Sequence, residues 1–503
     1  MSEREAKEFI ENFEIRAEFL NRHISIYTWK AEFGNNLDSL NYYLSTWKDL
    51  LNDKALSKNL KKYSNILTDK NNLRKMELIS SLITRETIDS DKTTSFLADS
   101  IKVFLGDISY SFEGQVVALD FLHNILRTEP NRFRREEAFQ AIYQAGKNLS
   151  DPIARLARYR NQAVEKLGYN SYYDLMLTVK DVDKIELQNI IDDLDRITAD
   201  PYFELIDSLK KSLNIEKLSE WDIEYAYRNI IIARDSYFPA STHLALIRKT
   251  LAGLGFNLDG LPIYFKRFSH EKSDSEFRLL PVAIPNDIRI LYSENDGFEE
   301  LMMLVTNLSQ GIYASNIYQA DYMFSRAPAD CFEYAVGALF SGYLSTEGWL
   351  RKYPGLPEPL VMEINNYSGF MKLYSIRRMI LEGKFESALY RNPYADLNRI
   401  YENLSDDILG LQFHPHISPW AVNPRLVNDP VSIPEIIIGE CIAAQIGFYL
   451  KEKYGTALDN EHTREYLVQN IFRFGARDNW RALLERSTDG GLDAKFFADY
   501  HSI

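Results

Sequence analysis

FIENFEIRAEFLNRHISIY, residues 9–27, sets its apolar side chains at Phe9, Phe13, Ala17, Leu20, Ile24 and Tyr27. Steps of three and four put these on one stripe of a 3.6-residue helix, so the spacing predicts a long amphipathic helix opening near Ser2. The same periodicity recurs through much of residues 37–250, where Pro130, Pro152, Pro201 and Pro239 are the proline punctuation. The best-marked joint is at 149–152, because proline is favoured in the first turn of a new helix. Period-two patterning wins in one region only. Segments 262–268, 278–284 and 287–292 are β-branched and aromatic runs, the first two separated by the polar loop 269–276, and they predict a small antiparallel sheet. Helical pattern returns from Phe298, broken by proline-marked loops at 353–359 and 414–434. The expected class is all-α, mainly α-helical, with a small antiparallel β-sheet.

The chain has 503 residues, 45% apolar and 26% charged, with a mean hydropathy of −0.30. Such a composition excludes collagen-like and disordered classes and gives ample material for burial, and at this length more than one lobe is expected. The formal net charge of −14 repels phosphate backbones, so nucleic acid is not an expected partner. The most apolar run, 433–450, is interrupted by Glu435 and Glu440 and reads as a buried helix; no membrane partner is expected. Two cysteines, Cys331 and Cys441, build neither a disulfide framework nor a cysteine-rich zinc site. The N-terminus lacks the pattern of an export signal, so the expected location is the cytoplasm, or outside it if a leader precedes the sequence.

Most motifs that reveal an enzyme are missing. No G-x-S-x-G elbow or phosphate-binding P-loop is present, and Gly253-Leu254-Gly255 is an incomplete dinucleotide fingerprint. His270-Glu271 begins an H-E-x-x-H, but position 274 is aspartate and the segment falls in the polar loop. His414 and His416 offer two imidazoles where zinc wants three or four supported ligands. The two cysteines have no sequence-local base and read as small buried hydrophobes. Sixty-five aromatic residues, 31 of them Tyr, fit helix packing better than a dedicated binding groove.

Several segments nonetheless resemble the angiotensin-converting enzyme family of zinc dipeptidyl carboxypeptidases. Residues 6–11 with Phe13 and Trp29 resemble the family's first lid helix, and Arg160-Asn161, Ala163, Gly168-Tyr169 and Tyr172 resemble its next helix pair. Glu299-Glu300-Leu301 leads into Val305-Thr306-Asn307-Leu308-Ser309-Gln310, where the family carries H-E-x-G-H. Phe332, Ala335, Val336, Gly337, Ser345 and Thr346 match the following helix, which supplies the third zinc ligand at the position of Tyr334. Residues 428–435, NDPVSIPE, resemble the family's His-Ile-Pro-Ser-Ser-Val-Pro-Tyr with both prolines in register.

The resemblance implies a zincin-like peptidase architecture, a single domain of two lobes over 1–503 around a deep central cleft. Lid helices would occupy 1–130, the small sheet 262–292 and the former zinc-site helices 298–350. It also implies a loss. Two imidazoles at i and i+4 hold one zinc while the intervening glutamate activates its water, and those positions here are Thr306, Gln310 and Asn307. Glu333 stands about 100° of helical rotation from Tyr334, facing away from the metal point. Asn428 replaces a substrate-binding histidine, Leu426 and Glu435 the Lys and Tyr that hold the substrate's C-terminal carboxylate, and Ile438 the Tyr that stabilises the oxyanion. Ile437 stands where the family has an anion-site arginine. The expected protein is a catalytically inactive metallopeptidase homologue without zinc, whose degenerate cleft positions bind a peptide or another small polar ligand. Two alternatives stand beside it: a hydrolase with a relocated site, using Glu333 or Glu440, and an interaction scaffold.

Overall fold

The computed structural model describes residues 3–34, 36–268, 277–327, 330–412, 417–456 and 459–501. Helices take 73% of the chain, as the periodicity predicts, and two small sheets stand beside them where the sequence predicts one. The polar loop 269–276, with His270 and Glu271, and the pair His414 and His416 lie outside the described residues. The chain divides into two compact units. The first comprises 1–87, 234–361 and 438–500, and the second 88–233, 362–437 and 501–503.

In the first unit the opening helix, Glu3–Phe33, buries Ala6, Ile10, Phe13, Ala17 and Leu20. These pack with Leu50, Leu51, Leu56, Leu60, Met76, Ile79 and Ile83 into one apolar cluster. Further along, Trp29 and Phe33 cover Phe268, Leu280 and Leu291 of the sheet region, and Ser25 Oγ donates to the Pro281 carbonyl at 3.0 Å. The small hairpin of the second unit supplies strands β1 (Tyr110–Phe112) and β2 (Gln115–Val117), and the sheet of the first unit supplies β3 (Ile263–Arg267), β4 (Phe277–Ala283) and β5 (Asp287–Tyr292). The sheet order is β3-β5-β4. β4 pairs antiparallel with β5, but β3 pairs parallel, Ile263 opposite Ile288. The all-antiparallel expectation is therefore corrected: the central strand is the last in sequence, because β5 carries the most buried faces, with Ile288, Ile290 and Leu291 at 0% exposure.

The second unit is a helical body around Phe112, Leu122, Ile125, Phe139, Ile142, Trp221 and Ile417. Asp222, fully buried, receives Arg132 at 2.9 Å and Arg135 at 2.7 Å, so its charge is met from two sides. The β1–β2 hairpin falls within 37–250, a region where helical periodicity prevails and no strand is predicted. Its turn is Glu113-Gly114, with φ of 50° and 79°, the paired positive values that a two-residue hairpin turn demands. Pro152 and Pro201 also depart from the reading, since they lie inside the helices Gly146–Glu165 and Lys184–Leu213. An interior proline costs ~3 kcal/mol, and burial of each helix offsets it: the first buries Leu149, Ile153 and Leu156, and the second Thr198, Tyr202 and Ile206. The Ile433–Tyr454 helix has the length and hydropathy of a membrane span, yet 78% of its most apolar window is buried within the protein.

Candidate functional site

A cavity of about 320 Å³ opens within the second unit, at the lower end of the ~300–1,000 Å³ typical of small-molecule sites. One wall is a single face of the Glu358–Arg391 helix. Arg378, Glu382, Phe385 and Glu386 line it, at i, i+4, i+7 and i+8. Tyr143 ends the Arg132–Tyr143 helix, Tyr401 comes from the Leu397–Leu404 helix, and Trp420 from the 3₁₀ turn Pro419–Val422. Phe385 meets Tyr401 edge-on at 5.3 Å between centroids and lies 5.1 Å from Trp420, so three aromatic side chains form a connected wall. The Trp420 indole N–H is spent on Asn398 Oδ1 at 2.8 Å, which fixes the ring.

The polar groups divide into a balanced set and an unbalanced one. Arg378 donates to Glu220 Oε1 at 3.1 Å, to Glu382 Oε1 at 3.3 Å and to the Tyr374 hydroxyl at 3.2 Å. Its guanidinium is thus compensated by two carboxylates, with Glu220 the larger influence, and stays protonated. Tyr143 beside it is pushed up to about 12, chiefly by burial. Glu386 has no such partner. Its residue is 3% exposed, and one carboxyl oxygen accepts the Val431 N–H at 2.8 Å. Burial raises its pKa to about 7 against the lowering effect of that hydrogen bond and of Arg160 and Lys180. Val431 reaches it with φ of 59°. A β-branched residue in the left-handed region is a true outlier, and such strain gathers at sites where one group must be held in place.

The positions singled out from sequence fall in both units. Thr306, Asn307 and Gln310 lie half-buried on the Phe298–Ala314 helix of the first unit, and Tyr334 on the Asp330–Leu344 helix packed against it. The approach is close: a Cβ built on Gly337 would meet Thr306 Cγ2 at 2.9 Å. Thr306 Oγ1 donates to the Met302 carbonyl at 2.9 Å and Asn307 Nδ2 to the Met303 carbonyl at 2.8 Å, so both side chains bond back to their own helix. Ile438 is fully buried in the same unit. In the second unit Leu426 lines the cavity, Asn428 is exposed, and Glu435, 5% exposed, is paired with the buried Lys180. Glu435 is therefore neutralised rather than presented as an open carboxylate. Glu333 and Glu440 are half-buried, and Cys331 and Cys441 are buried at 0% exposure and not joined in a disulfide.

No family model matches the chain, and no curated protein matches it.

The side chains themselves carry the chemistry. A hydroxyl, two carboxamides and a phenol at 306, 307, 310 and 334 do not fit zinc, which takes imidazole, thiolate and carboxylate, and two of the four are already committed to backbone carbonyls. Among the described residues no group of three or more His, Cys, Asp or Glu is arranged to hold a metal ion. The cavity residues Arg378, Glu382, Glu386, Tyr401 and Trp420 escaped the sequence reading. Arg378, Glu382 and Glu386 at four-residue steps look like a solvated charge ladder on a helix, and only burial distinguishes Glu386 from the exposed pairs of that kind.

Proposed function

We propose that the protein is a catalytically silent, metallopeptidase-like binding protein on a zincin-like plan, with a peptide or another small polar molecule as its partner and the cytoplasm as its setting. Support comes first from four segments that resemble the angiotensin-converting enzyme family in order along the chain while the residues at the metal-binding positions differ. The observation that carries the reading is the commitment of Thr306 and Asn307 to the carbonyls of Met302 and Met303. Each side chain spends a donor hydrogen on its own helix, and the hydroxyl and carboxamide that remain offer no imidazole, thiolate or carboxylate to a zinc ion. The close approach of Gly337 to Thr306 supports a helix pair held by packing alone.

Calorimetric titration of zinc into metal-stripped protein near neutral pH tests this directly. The expected result is no site tighter than about 1 μM, roughly −8 kcal/mol, and no cleavage of short peptides above the buffer rate. One equivalent of tightly bound zinc accompanied by peptide hydrolysis overturns the proposal.

A further inference from the structure

Glu386 is the one acidic wall residue of the cavity whose charge the protein leaves uncompensated by contact. Glu382 shares Arg378 with Glu220, whereas the only hydrogen bond to Glu386 among the described residues is the neutral Val431 N–H. The charged and titratable groups around it come from several elements. Arg160 donates to the Leu426 and Val427 carbonyls and to the Tyr390 hydroxyl. Lys180 is taken by Glu435, with Asp429 beside it at 3.9 Å. Tyr173 and Tyr390 stay protonated because burial raises both. Of the cavity's own cations, Arg378 is compensated and Arg425 is exposed. An anion drawn to Arg378 would have to break its ion pairs with Glu220 and Glu382, and the exposed Arg425 is hydrated at the rim, while a cation would meet a carboxyl with a free oxygen and an aromatic wall.

We propose that this cavity binds a small organic cation, a primary ammonium carried on an apolar body, with Glu386 as its counter-ion and Phe385, Tyr401 and Trp420 packed around it. Aromatic faces attract a desolvated ammonium through the ring quadrupole, and a carboxylate already stripped of water pays its desolvation cost before the ligand arrives. Binding selects the ionised form of Glu386, so affinity is coupled to its deprotonation and rises with pH until the carboxyl is fully ionised. The site is separate from the metal-site positions 306–334, and it stands whether or not those positions hold zinc.

The test is a calorimetric titration of the intact protein with 2-phenylethylammonium, using 2-phenylethanol as the neutral isostere and phenylacetate as the anion. At pH 8 the ammonium is expected to bind at least about tenfold more tightly than either, and to lose about tenfold between pH 8 and pH 6 as Glu386 takes up its proton. Glu386→Gln should abolish both the preference and the pH dependence. Should that variant fold poorly, the wild-type comparison of ligands and of pH still decides. Equal binding of alcohol and ammonium, tighter binding of phenylacetate, affinity indifferent to pH, or no ammonium binding up to millimolar concentration would each overturn the assignment. A zinc result cannot mimic any of these outcomes, since neither Glu386 nor its aromatic wall is among the residues matched to the metal site.

Discussion

Glutamine at position 386 can keep the hydrogen bond from the Val431 N–H and loses the titration. In the wild type, burial raises the Glu386 carboxyl from its ordinary 4.5 to about 7. Between those values the folded protein holds a proton that the unfolded chain has released, so this residue lowers stability as pH rises through that window. Above about pH 7 the full cost of the buried charge is present. Glu386→Gln should therefore match the wild type near pH 4.5 and exceed it at pH 8 by up to about 3 kcal/mol, read by urea denaturation at both pH values. An equal difference at the two would show that the carboxyl titrates normally. Val431 stands as the counterpart cost, since a left-handed conformation for an L-residue takes about 1–2 kcal/mol and holds its N–H on the carboxyl oxygen.

Among the secondary-structure elements of the first unit, the Asp330–Leu344 helix is crossed closely by the chain at Gly439. A Cβ built there would stand 2.7 Å from Tyr334 Cβ, 3.0 Å from the Cys331 carbonyl oxygen and 3.1 Å from the Ala335 nitrogen. Two of those atoms are backbone and cannot rotate away. Gly439→Ala should cost about 1–3 kcal/mol through overpacking, despite alanine's better helix propensity, and a lowered Tm would report it. No loss of Tm would mean the helices separate freely at this point. The same scale explains the sheet. The strand segments were legible from their β-branched runs, but the partner of β3 was not, because pairing depends on which strand can be buried on both sides rather than on order along the chain.

At the scale of the whole molecule, a formal charge of −14 makes like-charge repulsion a general term opposing compactness. The Debye length falls from about 30 Å at 0.01 M salt to about 8 Å at 0.15 M. Tm should accordingly rise over that range, since long-range repulsion is screened while buried pairs such as Lys75–Glu14, 2.9 Å apart, are not. A falling Tm would mean that attractive surface pairs outweigh the net charge.

Local periodicity sufficed for the first helix, the helical class and the buried 433–454 segment, because side-chain spacing alone tells which residues share a face. It failed at Pro152, Pro201 and Glu113-Gly114, where burial by distant segments or a pair of positive φ values overrides propensity. Glu386 lay further out of reach. A carboxyl becomes a site when Val431, Trp420 and Tyr401, remote in sequence, remove its water without supplying a cation, and desolvation of that kind exists only once the chain has folded around it.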